Sequence, residues 1–499
     1  MTEPRVPSWV QDAVFYQIFP DRFARSTRVP KPPHLEPWDD PPTQLGFKGG
    51  DLLGIAERLD YLTDLGVNAI YLNPIFQSAA NHRYHTYDYY HVDPLLGGND
   101  AFRELLVACH DRGIRVVLDG VFNHAGRGFF AFHHILENGP LSPYRDWFHI
   151  RGYPLHAYDS SPHRPPNYAS WWGLPGLPKF NTDTPAVREY LLGVAEHWVQ
   201  EGIDGWRLDV PTEIDDEPFW RELRARVKAI NPETYLVGEI WDKARGWLRG
   251  DRFDALMNYP FSRACLGFFG GPALDTSVRP GGFRLRTLGA RAFANRIEAT
   301  LDWYPWQVTL AQLNLLGSHD TPRALTVLGG VRDRLELAIL YMMTSPGAPC
   351  IYYGDEIGMK GGADPACRAA FTWRQSRWDT KLRDHVRRLI AARHRYVSLR
   401  RGTYVTLLAR GGVLAFGRRH EGETLVVVLN VNEHCVHVQV PVSGYLHDGT
   451  ALRPVVGEQG ASVAAGRTSH LQMGALTGVV WQAVPHLRAG EGESSRTPE

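Results

Sequence analysis

The chain has 499 residues, of which 43% are hydrophobic, and its 54 basic residues equal its 54 acidic residues. This length allows two or three domains, and the zero net charge disfavours nucleic acid or an anionic membrane as a partner. A neutral partner fits better. Aromatic residues make up 11% of the chain and include 15 Trp; they either fill a large core or offer flat faces on which sugar rings stack.

The cysteine pattern indicates a reducing compartment. None of the five cysteines forms a CxxC pair, and several lie in apolar runs: Cys109, Cys265, Cys350, Cys367 and Cys435. We therefore expect buried thiols, with neither a disulfide framework nor a zinc site. The N-terminal sequence MTEPRVPSWVQDAVFYQ has no apolar signal core, and no run of about 18 apolar residues occurs. These features predict a cytoplasmic protein without a membrane partner.

From residue 13 onward, short β-branched or aromatic runs alternate with longer amphipathic patterns, which is typical of repeated βα units. Eight runs are predicted to be strands: 13–19, 67–73, 115–121, 205–210, 235–240, 255–259, 313–319 and 349–354. Four intervening patterns are predicted to be helices: 49–66, 99–113, 183–202 and 331–347. Eight such strands predict an α/β fold, a (β/α)8 TIM barrel, rather than an open doubly wound sheet.

Two segments depart from this alternation. Residues 125–180, between the third strand and its helix, are rich in His, Pro, Trp and Tyr and lack a helical period. They predict an inserted B domain that shapes a binding site. After residue 395, short alternating runs predict a C-terminal antiparallel β-sandwich over 396–486, followed by a disordered tail over 487–499. The catalytic barrel is therefore predicted to occupy 1–124 and 181–395.

Polar side chains gather at the predicted carboxyl ends of the strands, where such barrels form their active sites. They are Asp119, Asn123 and His124 at the third strand, Arg207, Asp209 and Glu213 at the fourth, Glu239 at the fifth, and His319 and Asp320 at the seventh. A structural ion-pair network around the arginine is the alternative interpretation. Acids that recur at three strand ends together with His and Arg favour a functional site.

Asp209 and Glu239 follow neighbouring strands, so their carboxylates are expected to meet across the barrel mouth. A separation of about 5–5.5 Å would match a retaining glycosidase, in which one carboxylate attacks the anomeric carbon and the other protonates the leaving oxygen. Arg207, two residues before Asp209, is expected to keep that carboxylate ionised. Glu239 lies in an apolar strand, where desolvation is expected to raise its pKa toward the acid role.

At these residues the sequence resembles the alpha-amylase family, family thirteen of the glycoside hydrolases. DGVFNH (119–124), GWRLDVPTE (205–213), VGEIW (237–241) and LLGSHD (315–320) match its four active-site regions in order and spacing. The family implies Asp209 as nucleophile, Glu239 as general acid/base and Asp320 as the carboxylate that stabilises the transition state. It also implies substrate-binding roles around the cleaved bond for six residues: His82, Tyr84, Asp119, His124, Arg207 and His319.

Within the family, LPKFN (177–181) and WWG (171–173) resemble the neopullulanase, cyclomaltodextrinase and maltogenic amylase group. About a dozen residues precede the first strand, so the N-terminal β domain of that group is not expected, and monomer and homodimer both stay open. Where the group commonly has Ala-Asn-Glu, this chain has Pro211, Thr212 and Glu213. This difference predicts an altered preference next to the cleaved bond.

Calcium is the metal that the resemblance raises. Many relatives bind it through an Asn, here Asn123, and the backbone of a His that Glu213 replaces in this chain. A second site in some relatives uses an Asn/Asp-rich loop after the first strand, which here reads ARSTRVPKPP (24–33), although GGD (49–51) is present. Because calcium needs about six or more oxygen ligands, we expect that no cofactor is required and keep Asn123 as a candidate calcium ligand.

These features predict a retaining glycoside hydrolase that cleaves α-1,4 bonds in maltooligosaccharides, with cyclodextrins and pullulan as further substrates and some transglycosylation. Two alternatives on the same scaffold are a 4-α-glucanotransferase and an α-glucosidase. A distant alternative is a non-catalytic glycan-binding or structural member. Such relatives usually lack one of the three acids, whereas all three are present here.

Overall fold

A computed structural model describes residues 5–158 and 164–484. Its barrel strands, numbered β1 to β8 in chain order, are Phe15–Ile18, Ala69–Leu72, Arg115–Gly120, Gly205–Leu208, Tyr235–Gly238, Ala255–Leu256, Leu313–Leu315 and Ala348–Tyr352. The parallel sheet runs in the order β6-β5-β4-β3-β2-β1-β8-β7, and a parallel bridge from Met257 to Leu313 joins its two edges. The predicted barrel is confirmed, and each of the eight predicted runs overlaps one observed strand.

Barrel strands such as β1, β2, β4 and β5 bury every residue, as expected for a parallel sheet that is covered on both faces. Asp51, Asp216 and Asp379 cap helices by accepting hydrogen bonds from backbone N–H groups of the first turn. The main helices outside the barrel are Leu52–Ala56, Leu59–Leu65, Gly98–His110, Pro185–Gln200, Glu217–Ile230, Tyr259–Gly270, Ala290–Leu301, Trp306–Ala311, Arg332–Thr344, Thr380–Arg395 and Val397–Arg401.

The insert after β3 contains a helix, Phe130–Asn138, so the expectation of no helical period there was wrong. This helix packs within the insert, with the Phe132 ring 5.1 Å from Phe148 and 5.0 Å from Tyr168. Aromatic contacts of this kind stabilise a short helix whose own sequence pattern is weak. Isolated bridges join His124 to Lys179 and Phe148 to Phe180, so the insert returns to the carboxyl end of β3.

The C-terminal region is antiparallel, as predicted for a sandwich. A seven-stranded sheet and a two-stranded sheet enclose a separate apolar core that includes Val426, Val428 and Trp481. The strands are Thr403–Arg410, Val413–His420, Glu423–Asn430, Val436–Val438, Ala451–Val456, Ala461–Ala464, Arg467–Thr468, Leu471–Met473 and Thr477–Val484. The exact domain boundaries stay predictions, and the predicted disordered tail, 487–499, lies outside the described residues.

The cysteines and the aromatic residues follow the predictions in part. Four cysteines are buried free thiols, but Cys435 is exposed, because it precedes the short strand Val436–Val438 at the edge of the sandwich. Large buried rings such as Trp198, Trp206 and Trp220 show that much of the aromatic content fills the core. Within the residues described, no helix is both long enough and apolar enough to cross a membrane.

Candidate active site

The backbone turn after β4 places the first two acids beside each other. Strand β4 ends at Leu208, and Val210 has φ 34° and ψ 50°, a strained left-handed conformation for a β-branched residue. In this conformation the Val210 N–H donates to Glu239 Oε2 over 3.2 Å. The turn that carries Asp209 is therefore hydrogen-bonded directly to Glu239, the acid that follows β5.

The buried guanidinium of Arg207 holds three carboxylates together. Its Nη1 lies 2.8 Å from Asp119 Oδ1 and 2.9 Å from Asp209 Oδ1, and its Nη2 lies 2.8 Å from Glu239 Oε2. Because the guanidinium is planar and rigid, it fixes Asp209 and Glu239 side by side at the barrel mouth. The two side chains are 9% and 5% exposed, so each keeps only a small opening toward the cleft.

Burial raises the pKa of both acids in this pair. For Asp209, burial outweighs the opposing charge of Arg207, and Glu239 and Asp119 raise its pKa further. Arg207 acts to lower the pKa of Asp209, as expected, although burial outweighs it. The raised pKa expected for Glu239 is confirmed; burial is its largest cause and Asp320 adds to it. Two carboxylates beside one cation titrate as a unit. We expect the pair to share one proton.

Asp320 shows the opposite shift, although burial acts to raise its pKa. His319 Nε2 lies 3.0 Å from Asp320 Oδ2, and Arg368 Nη2 lies 3.0 Å from Asp320 Oδ1. These two neighbours outweigh burial and hold the pKa of Asp320 below its ordinary range. The Asp320 side chain is 33% exposed, so an ionised carboxylate is accessible at the site.

Tyr84 and His319 form one stacked unit, with ring centroids 5.4 Å apart and an interplanar angle of 9°. His319 Nδ1 accepts from Gln17 Nε2 at 2.9 Å and from Asn73 Nδ2 at 3.0 Å. The imidazole proton therefore lies on Nε2, which is 2.7 Å from the Tyr84 hydroxyl. That hydroxyl donates in turn to Asp119 Oδ2 over 2.8 Å. The network fixes both rings in the wall of the site.

His124 and His82 lie in the same wall. Burial lowers the pKa of His124 to about 3, so its imidazole is neutral near pH 7. Its Nε2 is buried and has no hydrogen-bond partner within the described part of the chain, which leaves a polar atom for a ligand. His82 Nδ1 accepts from the Tyr84 N–H over 3.1 Å, and burial lowers its pKa as well.

Comparison with known proteins decides the family. Residues 17–395 match the family model described as alpha amylase, catalytic domain. The chain belongs to the alpha-amylase family. It is an alpha-amylase-type glycosidase, and the nine residues predicted above as catalytic or substrate-binding groups lie within the matched range.

Individual relatives of this alpha-amylase family member include the cyclomaltodextrinase of Geobacillus thermopakistaniensis (strain MAS1), which is 46% identical over 88% of this chain and 72% of its own length. The intracellular maltogenic amylase of Bacillus subtilis (strain 168) is 38% identical over 87% of this chain and 71% of its own. The crystal structure of the debranching enzyme from Nostoc punctiforme has 46% identity and a TM-score of 0.88, covering 96% of this chain and 100% of that one.

Asp119 has a more internal position than a direct sugar contact requires. It accepts hydrogen bonds from the Tyr71 hydroxyl at 2.7 Å, the Tyr84 hydroxyl at 2.8 Å and Arg207 Nη1 at 2.8 Å. The side chain is fully buried. These donors saturate much of its accepting capacity, so the geometry favours a positioning role through Tyr84 and Arg207, and its predicted contact with substrate stays a prediction.

Three polar residues of the site were missed from the sequence: Gln17, Asn73 and Arg368. Gln17 and Asn73 lie at the carboxyl ends of β1 and β2, where the same strand-end rule would have found them. Arg368 lies in the 3-10 turn Ala366–Arg368 after β8. Its Nε donates to the His319 carbonyl over 2.8 Å. No pattern in the sequence marks that loop arginine.

The two calcium positions raised by the resemblance do not fit calcium. At the first, the Lys179 ammonium donates to the Glu213 carbonyl oxygen, and Asn123 Oδ1 is buried without a hydrogen-bond partner among the residues that the structure describes. At the second, Lys31 Nζ lies 2.7 Å from Asp51 Oδ2. A cation among oxygens is thus already supplied by the chain, and the six or so oxygens that calcium needs are not assembled. Among the described residues, no group of three or more His, Cys, Asp and Glu converges on one point.

Proposed function

We propose that this glycosidase cleaves α-1,4-glucosidic bonds of maltooligosaccharides and cyclodextrins, and of pullulan, with retention of the anomeric configuration. The observation that carries the proposal is the pair Asp209 and Glu239 on one guanidinium, each less than 3 Å from Arg207. One carboxylate then attacks while the other moves a proton, the division of labour in retaining glycosidases. The names of the relatives, cyclomaltodextrinase and maltogenic amylase, support the substrate class.

In the first step Asp209 attacks the anomeric carbon as Glu239 donates its proton to the glycosidic oxygen. The bond from the anomeric carbon to the leaving oxygen breaks, and a β-glycosyl ester to Asp209 forms. The shared proton resides on Glu239 in the reactive arrangement. Arg207 contacts both carboxylates and stabilises the ionised nucleophile at that moment.

In the second step Glu239, now ionised, removes a proton from water as the water oxygen attacks the anomeric carbon. The ester bond breaks and Asp209 is released as a carboxylate. A sugar hydroxyl in place of water gives transglycosylation. The ionised Asp320 and the unpaired Nε2 of His124 hold hydroxyl groups of the reacting sugar, and positive charge that develops on the sugar is stabilised by the carboxylates.

We further propose that the enzyme works in the cytoplasm as a monomer or homodimer, without a cofactor. Five free cysteines agree with a reducing compartment, and a relative named intracellular maltogenic amylase supports the same location. The balanced charge of the chain agrees with a neutral glucan as its partner and offers no field for nucleic acid or membrane.

A second candidate reaction is cleavage of α-1,6 bonds at branch points. The observation in its favour is the relative named debranching enzyme, which matches over its whole chain. The same acids serve either linkage, because both reactions break a bond at an α-configured anomeric carbon. The preference between α-1,4 and α-1,6 bonds then depends on how the cleft holds the leaving sugar. Pro211, Thr212 and Glu213, which follow the nucleophile, are the candidate residues for that preference.

The test is a time course of products from maltoheptaose, β-cyclodextrin and pullulan, with Glu239→Gln as the blank. We expect ring opening of β-cyclodextrin, shorter maltooligosaccharides from maltoheptaose, and first products in the α-configuration by NMR. A β-configured first product would contradict retention. Cleavage confined to α-1,6 bonds would favour the debranching reaction. Disproportionation of maltotriose with little net hydrolysis would indicate a glucanotransferase, and glucose released mainly from chain ends an α-glucosidase.

A further inference from the structure

The loop 170–178 of the insert rests directly on the active-site wall. Its ends are joined by a bridge between Ser170 and Pro178. The carbonyl of Pro178 accepts from the Ala125 N–H over 3.0 Å, so the loop is bound to the residue that follows His124. On the same loop, the Trp171 ring stacks on the His124 ring, with centroids 5.6 Å apart and an interplanar angle of 24°.

Trp172 extends this stack outward into solvent. Its ring lies 4.5 Å from the Trp171 ring at an interplanar angle of 8°, while the residue is 81% exposed. Its backbone has φ 51° and ψ 24°, a left-handed conformation that is unfavourable for a residue with a side chain. Large exposure and backbone strain at one tryptophan are not explained by packing, because one face of the indole covers only Trp171.

We propose that Trp172 is a stacking platform for a glucose unit of the substrate that lies beyond the reacting sugar. Three near-parallel rings, His124, Trp171 and Trp172, form one stack from the wall of the site outward, and the outer face of Trp172 is its solvent-facing end. The apolar face of a sugar ring packs on an indole face, and no charge is needed to hold a neutral glucan. This inference rests on the proposed function, since it assigns a further binding position in the same cleft.

The experiment compares Trp172→Ala with Leu141→Ala, a control that removes an equally exposed apolar side chain, 88% exposed, from the same insert. Initial rates are measured on maltotriose and maltoheptaose. We expect Trp172→Ala to raise the KM for maltoheptaose by about 3- to 10-fold, more than for maltotriose. Trp172→Phe is expected to restore part of the loss, and Leu141→Ala to change neither KM.

Equal KM changes on both substrates, or no change on maltoheptaose, would overturn the platform. Calorimetry gives a second measurement that does not need turnover: the Kd of maltoheptaose for Glu239→Gln, with and without Trp172→Ala. If the native enzyme binds maltoheptaose but does not cleave it, the proposed function fails while the platform is still measured. The two failures are therefore distinguishable.

An independent observation concerns the lysines, which are scarce in this chain. Only seven occur among its 54 basic residues: Lys31, Lys48, Lys179, Lys228, Lys243, Lys360 and Lys381. The first four donate to backbone carbonyl or carboxylate oxygens of the structure. At these four positions a compact, rotatable ammonium donates to nearby oxygens, where an arginine would present a planar guanidinium of fixed geometry.

Two of these lysines secure the long loop after β1. Lys48 is fully buried, and its Nζ lies 2.7 Å from the Pro37 carbonyl, 2.8 Å from the Asp40 carbonyl and 3.3 Å from Glu36 Oε2. Lys31 Nζ lies 2.7 Å from Asp51 Oδ2. The Lys48 ammonium lies among oxygens from different parts of the loop, as a bound cation would, and the Lys31 ammonium lies between Asp51 and the Leu95 carbonyl.

An ammonium group also lies beside oxygens at the carboxylate of Asp51 and at the end of the insert. Asp51 is fully buried; its Oδ1 accepts from the Gly54 N–H at 2.7 Å, and its Oδ2 accepts from the Ser26 N–H at 2.9 Å. Lys31 completes its shell with a positive charge. Lys179 joins the insert to the turn after β4 through the Glu213 carbonyl. Both candidate calcium positions thus have an internal ammonium.

We infer that Lys31 and Lys179 take the structural place of calcium in this enzyme, with Lys48 holding the loop after β1, and that its fold is independent of that metal. The ammonium groups neutralise buried oxygens and crosslink segments far apart in sequence, which are the two structural effects of a bound hard cation. The inference concerns stability and does not depend on the substrate.

The test is thermal unfolding of the whole enzyme with a chelator and with added CaCl2. We expect neither to shift the melting temperature of the native chain. Lys31→Met and Lys179→Met are expected to lower it by about 3–8 °C. Lys31→Arg is expected to lower it as well, because the planar guanidinium does not fit the space that the ammonium fills beside Asp51. Lys381→Met, at an exposed helix position, is the control and is expected to change it little. Destabilisation of the native chain by the chelator, or no shift in Lys31→Met and Lys179→Met, would overturn the inference.

Discussion

Fully buried arginines lie at both ends of the barrel, and their charges are compensated in different ways. At the carboxyl ends of the strands, Arg207 contacts the carboxylates of Asp119, Asp209 and Glu239. At the amino end of β8, Arg393 donates, within 5–158 and 164–484, only to backbone carbonyls, among them that of Gly347 at 2.6 Å. Burial lowers the pKa of Arg393 to about 9, whereas the carboxylates raise that of Arg207.

The difference separates a chemical site from a structural one. Carbonyl dipoles hold a cation in place but cannot exchange protons with it, so Arg393 fixes the chain at the base of the barrel. Arg418 does the same from the sandwich, donating to the Gly402 carbonyl over 2.9 Å and to that of Thr344. Carboxylates that share one guanidinium can pass a proton between them. The mouth of the barrel is therefore the end at which acid/base chemistry is expected.

The largest effect is expected from changing the paired acids. Asp209→Asn and Glu239→Gln keep shape but remove the attacking charge or the transferable proton, and each is expected to lower kcat on maltoheptaose by about 10^4-fold or more. Circular dichroism and the melting temperature serve as controls for folding. Either pure variant with near-native turnover would remove the acids from the mechanism.

Replacing each of the two arginines by methionine tests the comparison directly. Arg207→Met is expected to lower kcat by at least about 10^2-fold, because it removes a preorganised charge beside the reacting atoms. Arg393→Met leaves several buried carbonyls without a donor and is expected to cost about 2–5 kcal/mol of unfolding free energy with kcat almost unchanged. Urea unfolding and kcat are measured in both variants. A loss of kcat without a loss of stability in Arg393→Met would contradict the division of roles.

A smaller effect is expected at Arg368, which acts through Asp320. Arg368 helps to hold the pKa of Asp320 below its ordinary range, so Arg368→Gln is expected to raise that pKa. Asp320 must be ionised, and the part of the acidic limb of the kcat/KM profile that lies below the ionisation of the paired acids is therefore expected to move to higher pH, with a loss of about 10-fold or less near neutrality. Arg374→Gln, which removes an exposed arginine, is the control. An unmoved acidic limb would show that Arg368 does not act on Asp320.

The strands and the acids at their ends could be predicted from the sequence for one physical reason. A parallel barrel buries both faces of its strands, so the strands are continuous apolar runs, and charged residues such as Asp209 and Glu239 directly after those runs stand out. The same rule covers Gln17 and Asn73, which belong to the ends of β1 and β2.

The rest depends on contacts that no local pattern records. Arg368 reaches the site from a loop far along the chain, and its role follows from its distance to Asp320. The helix Phe130–Asn138 depends on aromatic partners within the insert. The pKa of Asp209 is raised by the number of acids around one guanidinium, which is a property of the folded cluster rather than of the spacing between Arg207 and Asp209.

The central claim is that Asp209 forms a covalent bond to the sugar while Glu239 donates a proton in the first step and removes one in the second. The direct measurement is mass spectrometry of Glu239→Gln after incubation with α-maltosyl fluoride, whose leaving group needs no acid. We expect a maltosyl adduct on the peptide that contains Asp209, absent in the Asp209→Asn, Glu239→Gln double variant. An adduct on another carboxylate, or turnover of the fluoride by the double variant at the rate of the single one, would contradict the account.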